Sequence, residues 1–534
     1  MNKALAELIK ISRATGKDPA LVQGGGGNTS VKTADGKYMY IKASGTALKD
    51  MNEQAGWRRL RLDSVLSILE DKSIAQLDVH ARETEVVNRL LLACNDKATG
   101  DTRPSIEAHL HALLGKCVIH LHPAAVLAYA CAKNGRTELE KLFRNEKYPP
   151  LWVPYVDPGY TLAKNVAKLT HRYENRFGKR PSVIFLQKHG LLISANSPNV
   201  ALELVRGVIN RCDSKLRHLK AGKTKPARTK TVADIKPCIR KAFFEATGKH
   251  TTITHFHDDT IAAFSRQKDA KKLLSVAALT PDELLYADGP AMWVDDCESK
   301  KIAARLRSQI EKGKKPSATF LVKAVGLFVA GTKRIAPAIR DIVKNSFVIR
   351  TNACRLGGIL SLNKAEQDFI NQWEAEAFRR LLASGASQGP LQNRIALVTG
   401  AGSGLGRSIS IGLARAGATI ALLDIDAKSA KQTSATITKE LPNAQIMTIT
   451  CDVANETDVE KAFEALLSNW GGLDILVNAA GVAPAYALVD LPVEKWRSAL
   501  EVNLTGYFLA SKAAAKIMIK QGIGGNIINI SSKS

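Results

Sequence analysis

Arg103-Pro-Ser-Ile-Glu107-Ala-His-Leu-His-Ala-Leu-Leu-Gly115-Lys-Cys117-Val-Ile-His120-Leu-His122-Pro123 is the stretch on which the reading of the chain turns. Pro104 can open a helix with Glu107 in its first turn and Gly115 as C-cap, and a strand Cys117 to His122 follows. Side chains on a strand alternate with period two, so His120 and His122 point to one face and can grip one ion from the same side. A third imidazole, His189, stands in Phe185-Leu-Gln-Lys-His189-Gly190. Three neutral imidazole nitrogens leave a coordination position open, as a catalytic zinc site requires. A bare His-x-His more often belongs to an ordinary packed strand; the upstream carboxylate and the distant His-Gly favour the metal.

Composition sets the frame for this site. The 534 residues suffice for two to four domains, and 45% hydrophobic with 24% charged residues is ordinary for a globular protein. No apolar run approaches the ~18 residues of a membrane span, and the start, Met1-Asn-Lys-Ala-Leu-Ala-Glu-Leu-Ile, has helical spacing without a secretion signal. A cytoplasmic protein without membrane partners is expected. Eight scattered cysteines with no Cys-x-x-Cys pair point to neither a zinc ribbon nor a disulfide framework. The net charge of +26 is densest from Lys215 to Lys241. No aromatic residue interrupts that run, which argues against nucleic acid and for a solvated basic linker.

Near the start, Gln23-Gly-Gly-Gly-Gly-Asn28-Thr-Ser30 combines backbone freedom with short polar side chains, as either a phosphate cradle or a glycine-rich hairpin turn would. With Ser44-Gly45, Pro104-Ser105-x-Glu107, His120-x-His122 and Lys188-His189-Gly190-Leu191, these motifs resemble the class II aldolase/adducin family in order, over residues 1 to about 215. The resemblance implies that His120, His122 and His189 hold zinc or another divalent cation and that Glu107 shuttles a proton. It places Asn28, Ser44, Gly45 and Ser105 on the phosphate of a ketose substrate; Ile106 departs from a serine often found there. Cleaving the bond beside a ketone leaves an enediolate, whose charge a chelated cation can stabilise and a neighbouring carboxylate can protonate.

Residues 236–345 read as a degenerate repeat of 103–210. Lys236-Pro237 to Arg240 answers Arg103-Pro104 to Glu107, His255-Phe-His257 answers His120-Leu-His122, Trp293-Val294 answers Trp152-Val153, and Phe320 to Lys323 answers Phe185 to Lys188. Arg240 then replaces Glu107 and Ala324 replaces His189. A lobe without chemistry of its own is expected, in which His255, His257, Asp258 and Asp259 are the residues that could still hold a metal.

Past the small-residue linker Ser384 to Pro390, the strand Arg394 to Val398, the turn Thr399-Gly400-Ala-Gly-Ser-Gly404-Leu-Gly406 and a helix to Gly417 give the context of a dinucleotide site. Asp424, ending the next strand, is placed to bond a ribose 2′-hydroxyl and repel a 2′-phosphate, which favours NAD. Residues 391–534 resemble the short-chain dehydrogenase/reductase family through this turn, Asp452-Val453, Asn478-Ala-Ala-Gly481, Asn503 and Ser532. The resemblance implies that Ser532 polarises a substrate carbonyl and Asn503 supports the proton relay. The family's Tyr-x-x-x-Lys would fall beyond Ser534, so a piece of a longer protein is expected.

The expected architecture is α/β. It comprises a class II aldolase-like domain (1–215), a basic linker (216–235), a degenerate aldolase-like lobe (236–384), a short linker (385–390) and a Rossmann-type doubly wound parallel sheet (391–534), incomplete at its C-terminal end. The pairing resembles the bifunctional rhamnulose-1-phosphate aldolase/alcohol dehydrogenases, and both families commonly form homo-tetramers. The alternatives are another ketose-phosphate aldolase, a pentulose-phosphate 4-epimerase, or an adducin-like interaction module, against which the retained histidines and Glu107 argue.

Overall fold

The computed structural model describes residues 2–24, 26–96, 102–219, 229–373 and 389–532. The linker residues 220–228 and 384–388 lie outside them. No helix among the described residues is long and apolar enough to cross a membrane, and all eight cysteines are unpaired. The chain divides into two compact units: Met1–Gly222 with Asp259–Ala291 and Pro337–Ala383, and Lys223–Asp258 with Met292–Ala336 and Ser384–Ser534. Residues 236–384, expected as one lobe, are thus distributed between both units.

The first unit is built on seven strands: β1 (Asn28–Lys32), β2 (Tyr38–Lys42), β3 (Trp57–Arg61), β4 (Cys117–Leu121), β5 (Leu151–Val153), β6 (Val183–Leu186) and β7 (Gly190–Ala195). Their order is β3-β2-β1-β4-β7-β6-β5, antiparallel except for β5 on β6. The central β4 is buried on both faces. Cys117, Ile119 and Leu121 pack toward Leu5, Leu8, Val205 and Val208. Val118 joins the opposite core of Val65, Val86, Leu110 and Val166. By alternation His120 lies on the Val118 face.

The helix expected from Pro104 is shorter, Ala108–Ala112, with Glu107 at its N-cap. Pro104 cannot begin it because it is held extended in a bridge to Ala43.

The second unit contains β8 (Ile253–Phe256), β9 (Met292–Val294), β10 (Thr319–Val322) and β11 (Gly326–Ala330), in the order β8-β11-β10-β9. Strand directions match those of β4-β7-β6-β5: two antiparallel pairings, then a parallel one. The repeat read from sequence is therefore a repeat of topology. Its alignment shifts by one residue at the last turn. Gly190 pairs with Leu186 and Gly326 with Val322, while Lys188 (φ 55°) and Ala324 (φ 60°) both adopt left-handed backbone. Val325, not Ala324, therefore occupies the place of His189.

Five further strands, β12 (Ile395–Thr399), β13 (Thr419–Asp424), β14 (Ile446–Thr450), β15 (Ile475–Asn478) and β16 (Asn526–Asn529), form a parallel sheet ordered β14-β13-β12-β15-β16. This is a doubly wound sheet with helices between its strands.

The basic run is only partly a linker, which corrects the reading of 216–235 and its flank. Residues Thr229–Thr247 form a helix, and Lys236 and Arg240 are buried. Lys236 donates to the Ser468 and Asn469 carbonyls, and burial lowers its ammonium pKa to about 8. Arg240 donates to Thr251 O, Gln521 Oε1 and, at 2.5 Å, Asp474 Oδ2. The same carboxylate oxygen accepts the Ile395 amide at the start of β12. A fully desolvated arginine needs every such partner, and removing one partner of a buried pair strands the other. Arg240→Ala is expected to lower the stability of the second unit by about 3–5 kcal/mol, read by urea denaturation, with the first unit's transition unmoved.

Candidate metal centre and dinucleotide site

His120 sits on β4 between Asn28 of β1 and Leu192 of β7, and His122 follows the strand end on the same face. His189 is delivered by the three-residue turn joining β6 to β7. The left-handed Lys188 in that turn is secured by its amide to Ala130 O, its ammonium to Glu366 at 2.6 and 2.7 Å, and its position 4.3 Å from the Tyr155 ring centroid. These contacts offset the ~1–2 kcal/mol cost of a non-glycine residue in that conformation.

The three side chains meet. Nε2 of His120 lies 3.0 Å from Nε2 of His122 and 3.3 Å from Nε2 of His189, and the ligating atoms all fall within 4.8 Å of one another. On its other nitrogen, His120 Nδ1 faces the Leu191 carbonyl at 3.1 Å. A carbonyl only accepts, so neutral His120 carries its proton on Nδ1 and turns a lone pair toward its neighbours. His122 Nδ1 faces Asp282 Oδ2 at 2.5 Å, with the same consequence. Lone pairs so close repel one another unless a cation lies between them. Two nitrogens on one tetrahedral zinc at 2.0–2.1 Å stand about 3.3 Å apart, so the donor set fits such an ion. Burial holds His120 well below the usual imidazole range, in the neutral form a metal ligand needs.

Glu107 completes the cluster, with Oε1 3.4 Å from His189 Nε2 and Oε2 3.7 Å from His120 Nε2. Burial disfavours its charge, while the Asn28 amide, donated at 2.5 Å, and positive charge at the imidazole cluster act the other way and lower its pKa. Asn28 Oδ1 is buried without a partner.

Of the other residues assigned to phosphate, Ser44 and Ser105 are brought together. The Ser44 amide donates to Arg103 O, the Ser105 amide to Lys42 O, and the left-handed Gly45 (φ 81°) follows Ser44. Asn28 is tied instead to Glu107.

Two glycines make room for the rings. A Cβ on Gly190 would lie 2.5 Å from Leu121 O and 2.8 Å from His122 Cδ2. One on Gly26 would lie 3.2 Å from Asp282 Oδ2 and 3.5 Å from His122 Nδ1. The glycine run thus gives close approach to an imidazole–carboxylate pair.

Sequence reasoning missed Asp282, Lys188 and Glu366. Only Lys188 carried a local sign, as the lysine of Lys-His-Gly. In the repeat, both His255 Nε2 and His257 Nδ1 point at the Val325 carbonyl, 3.2 Å from each. Among the described residues, His120, His122 and His189 form the one His/Cys/Asp/Glu group spaced for a metal. His255 and His257 are not part of it.

In the doubly wound sheet, Thr399 Oγ1 accepts the Ala479 and Ala480 amides, joining the glycine turn to the loop after β15. A Cβ on Gly406 would lie 2.1 Å from Gly400 O, so the glycines here permit the strand-to-helix approach. Gly404 (φ 49°) opens the helix Gly404–Arg415 with nothing within 4 Å of a built Cβ. This exposed helix N-terminus fits a pyrophosphate. Asp424 Oδ2 accepts the Gly402 amide at 2.7 Å, which fixes its carboxylate at the edge of the turn.

Asp452 caps the Ala454 amide, and Val453 packs on Gly506. Asn478 donates to Ser511 and Asn529. Asn503 lies in a π-helical turn, Glu501–Thr505, and its amide group exchanges two hydrogen bonds with the Val482 backbone beside Gly481. Such a turn is a common mark of a functional position. Ser532 is exposed.

Comparison with known proteins agrees with this division. Residues 6–216 match the family described as Class II Aldolase and Adducin N-terminal domain, and residues 394–534 match short chain dehydrogenase. An uncharacterized oxidoreductase, YuxG, of Bacillus subtilis is 25% identical over 575 residues, covering all of this chain and 80% of that protein. The D-threitol dehydrogenase of Mycolicibacterium smegmatis is 38% identical over 144 residues, 27% of this chain and 54% of the relative. A crystal structure of NAD+-bound xylitol dehydrogenase is 32% identical over 27% of this chain and 54% of its own, with a TM-score of 0.26. The chain spans about half the length of these dehydrogenases. It joins an aldolase-type domain to a short-chain dehydrogenase domain.

Gly190→Ala is expected to displace His122 or the β4 edge and weaken divalent-cation binding at least about tenfold, measured by cobalt titration of the metal-free protein.

Proposed function

We propose that the first unit is a metal-dependent lyase that cleaves a ketose 1-phosphate, with rhamnulose 1-phosphate giving dihydroxyacetone phosphate and lactaldehyde as the leading substrate. The dehydrogenase domain of the intact protein then acts on the lactaldehyde with NAD. The observation that carries the lyase reading is the convergence of three Nε2 atoms beside the buried Glu107 carboxyl group. A divalent cation held there supplies Lewis-acid stabilisation of the negative charge that develops beside the ketone.

The chain's own residues do the rest. Cleavage removes a proton from the hydroxyl beside the broken bond and returns one to carbon. Glu107, as a carboxylate, can accept the first and deliver the second. The Asn28 amide holds the carboxylate toward the imidazoles. Ser44, Gly45 and Ser105 offer short polar and backbone groups to the phosphate, and the positive surface suits an anionic substrate.

The test is release of dihydroxyacetone phosphate from ketose 1-phosphates. Product is expected from the intact chain, with loss on chelation and recovery on adding zinc, and Glu107→Gln is expected to lower kcat by about 10²–10⁴ with metal content unchanged. Undiminished product after chelation contradicts the reading. In the second unit, Asp424 supports NAD over NADP. Asp424→Ala is expected to weaken NAD binding and narrow the preference, measured by fluorescence titration with the two reduced nucleotides.

A further inference from the structure

The aldolase-family match ends at residue 216, yet one contact to the three-histidine cluster comes from beyond it. Asp282 belongs to the short helix Pro281–Ala287, and its Oδ2 stands 2.5 Å from His122 Nδ1. We infer that Asp282 is a positioning residue for the metal centre: it fixes the tautomer and plane of His122 and strengthens its Nε2 as a donor, so that the site reaches full affinity only with this later segment in place. The inference rests on the proposed metal site and deepens it.

The chemistry is that of a carboxylate behind a ligating imidazole. The carboxylate accepts the Nδ1 proton, confines the lone pair to Nε2 and makes the ring more basic toward the cation, and losing such a partner typically weakens binding 10–100-fold. For His122 the group on Nδ1 is a carboxylate, Asp282 Oδ2 at 2.5 Å. His120 obtains the same service from the Leu191 carbonyl, but a neutral carbonyl polarises a ring less than a carboxylate does.

The position of Asp282 is over-determined, as expected of a group whose angle matters. Thr280 caps the helix through the Glu283 amide and Pro281 begins it. The adjacent Glu283 is locked by Ser346, by the fully buried Arg350 at 2.9 and 3.0 Å, and by the Leu279 amide at 2.7 Å. Arg350 also ties down the approach to the helix through the Leu273, Val276 and Ala277 carbonyls. Gly26 lies close enough that an added Cβ would crowd Asp282 Oδ2 at 3.2 Å and touch His122 Nδ1 at 3.5 Å. The pair is therefore gripped between the glycine loop and a rigid helix.

The experiment uses the full chain, stripped of metal and titrated with cobalt, read by the visible ligand-field band and by competition with a chelator. Asp282→Ala is expected to weaken cobalt binding about 10–100-fold and to change the band. Asp282→Asn, whose side-chain oxygen can still accept a hydrogen bond from Nδ1–H without the charge, should give a smaller loss. The exposed acid Asp368 serves as control, with Asp368→Asn expected to bind as the parent chain does. Thermal melting of the metal-free variants separates positioning from folding, because positioning lowers affinity while the metal-free midpoint holds. Should Asp282→Ala fail to fold, Asp282→Asn decides. Parental affinity and band in a folded Asp282 variant overturn the inference alone, whereas a parent chain that takes up no cobalt overturns the metal site together with it.

Discussion

Three imidazole nitrogens gathered within 4.8 Å of one another, largely buried and beside a carboxyl group, set the terms for the rest of the first unit. His120 and His122 each direct the Nδ1 proton to an acceptor, Leu191 O and Asp282 Oδ2, and so turn two Nε2 lone pairs toward each other at 3.0 Å, an arrangement that a cation between them relieves. The surrounding architecture serves that convergence. β4 and the residue just past its end supply two rings on one face, the β6–β7 turn supplies the third through a left-handed lysine, and Gly190 and Gly26 leave the space the rings occupy. Asn28, directly across the ladder from His120, holds the acid in place.

The repeated sheet of the second unit shows what remains when those terms are relaxed. Strand order, direction and even the left-handed residue in the last turn persist, but Val325 replaces the third imidazole and its carbonyl engages both remaining histidines. Arg240, answering the catalytic-type acid of the first copy, has become a buried anchor to Asp474 and through it to β12. The topology was kept as a scaffold while the polar residues took up packing roles.

Much of this was legible in the sequence because it depends on local periodicity. His120 and His122 share a face by period two, and Thr399 to Gly406 announces its turn through glycine spacing. The repeat was visible because residue order survived in it. What escaped depended on distant partners. Pro104 reads as a helix opener until its bridge to Ala43 is known. Lys236 and Arg240 read as solvated charge because Ser468, Asn469 and Asp474 lie more than two hundred residues away. The one-residue shift at Val325 could be fixed only by strand register, and no pattern near Asp282 points to His122.

The most direct measurement is X-ray absorption at the edge of a zinc or cobalt ion bound to the full chain, together with metal content. One ion per chain is predicted, with a first shell containing three imidazole nitrogens at about 2.0–2.1 Å and further ligands from water or carboxylate. A chain that binds no stoichiometric ion, or a shell without multiple imidazoles, would contradict the account.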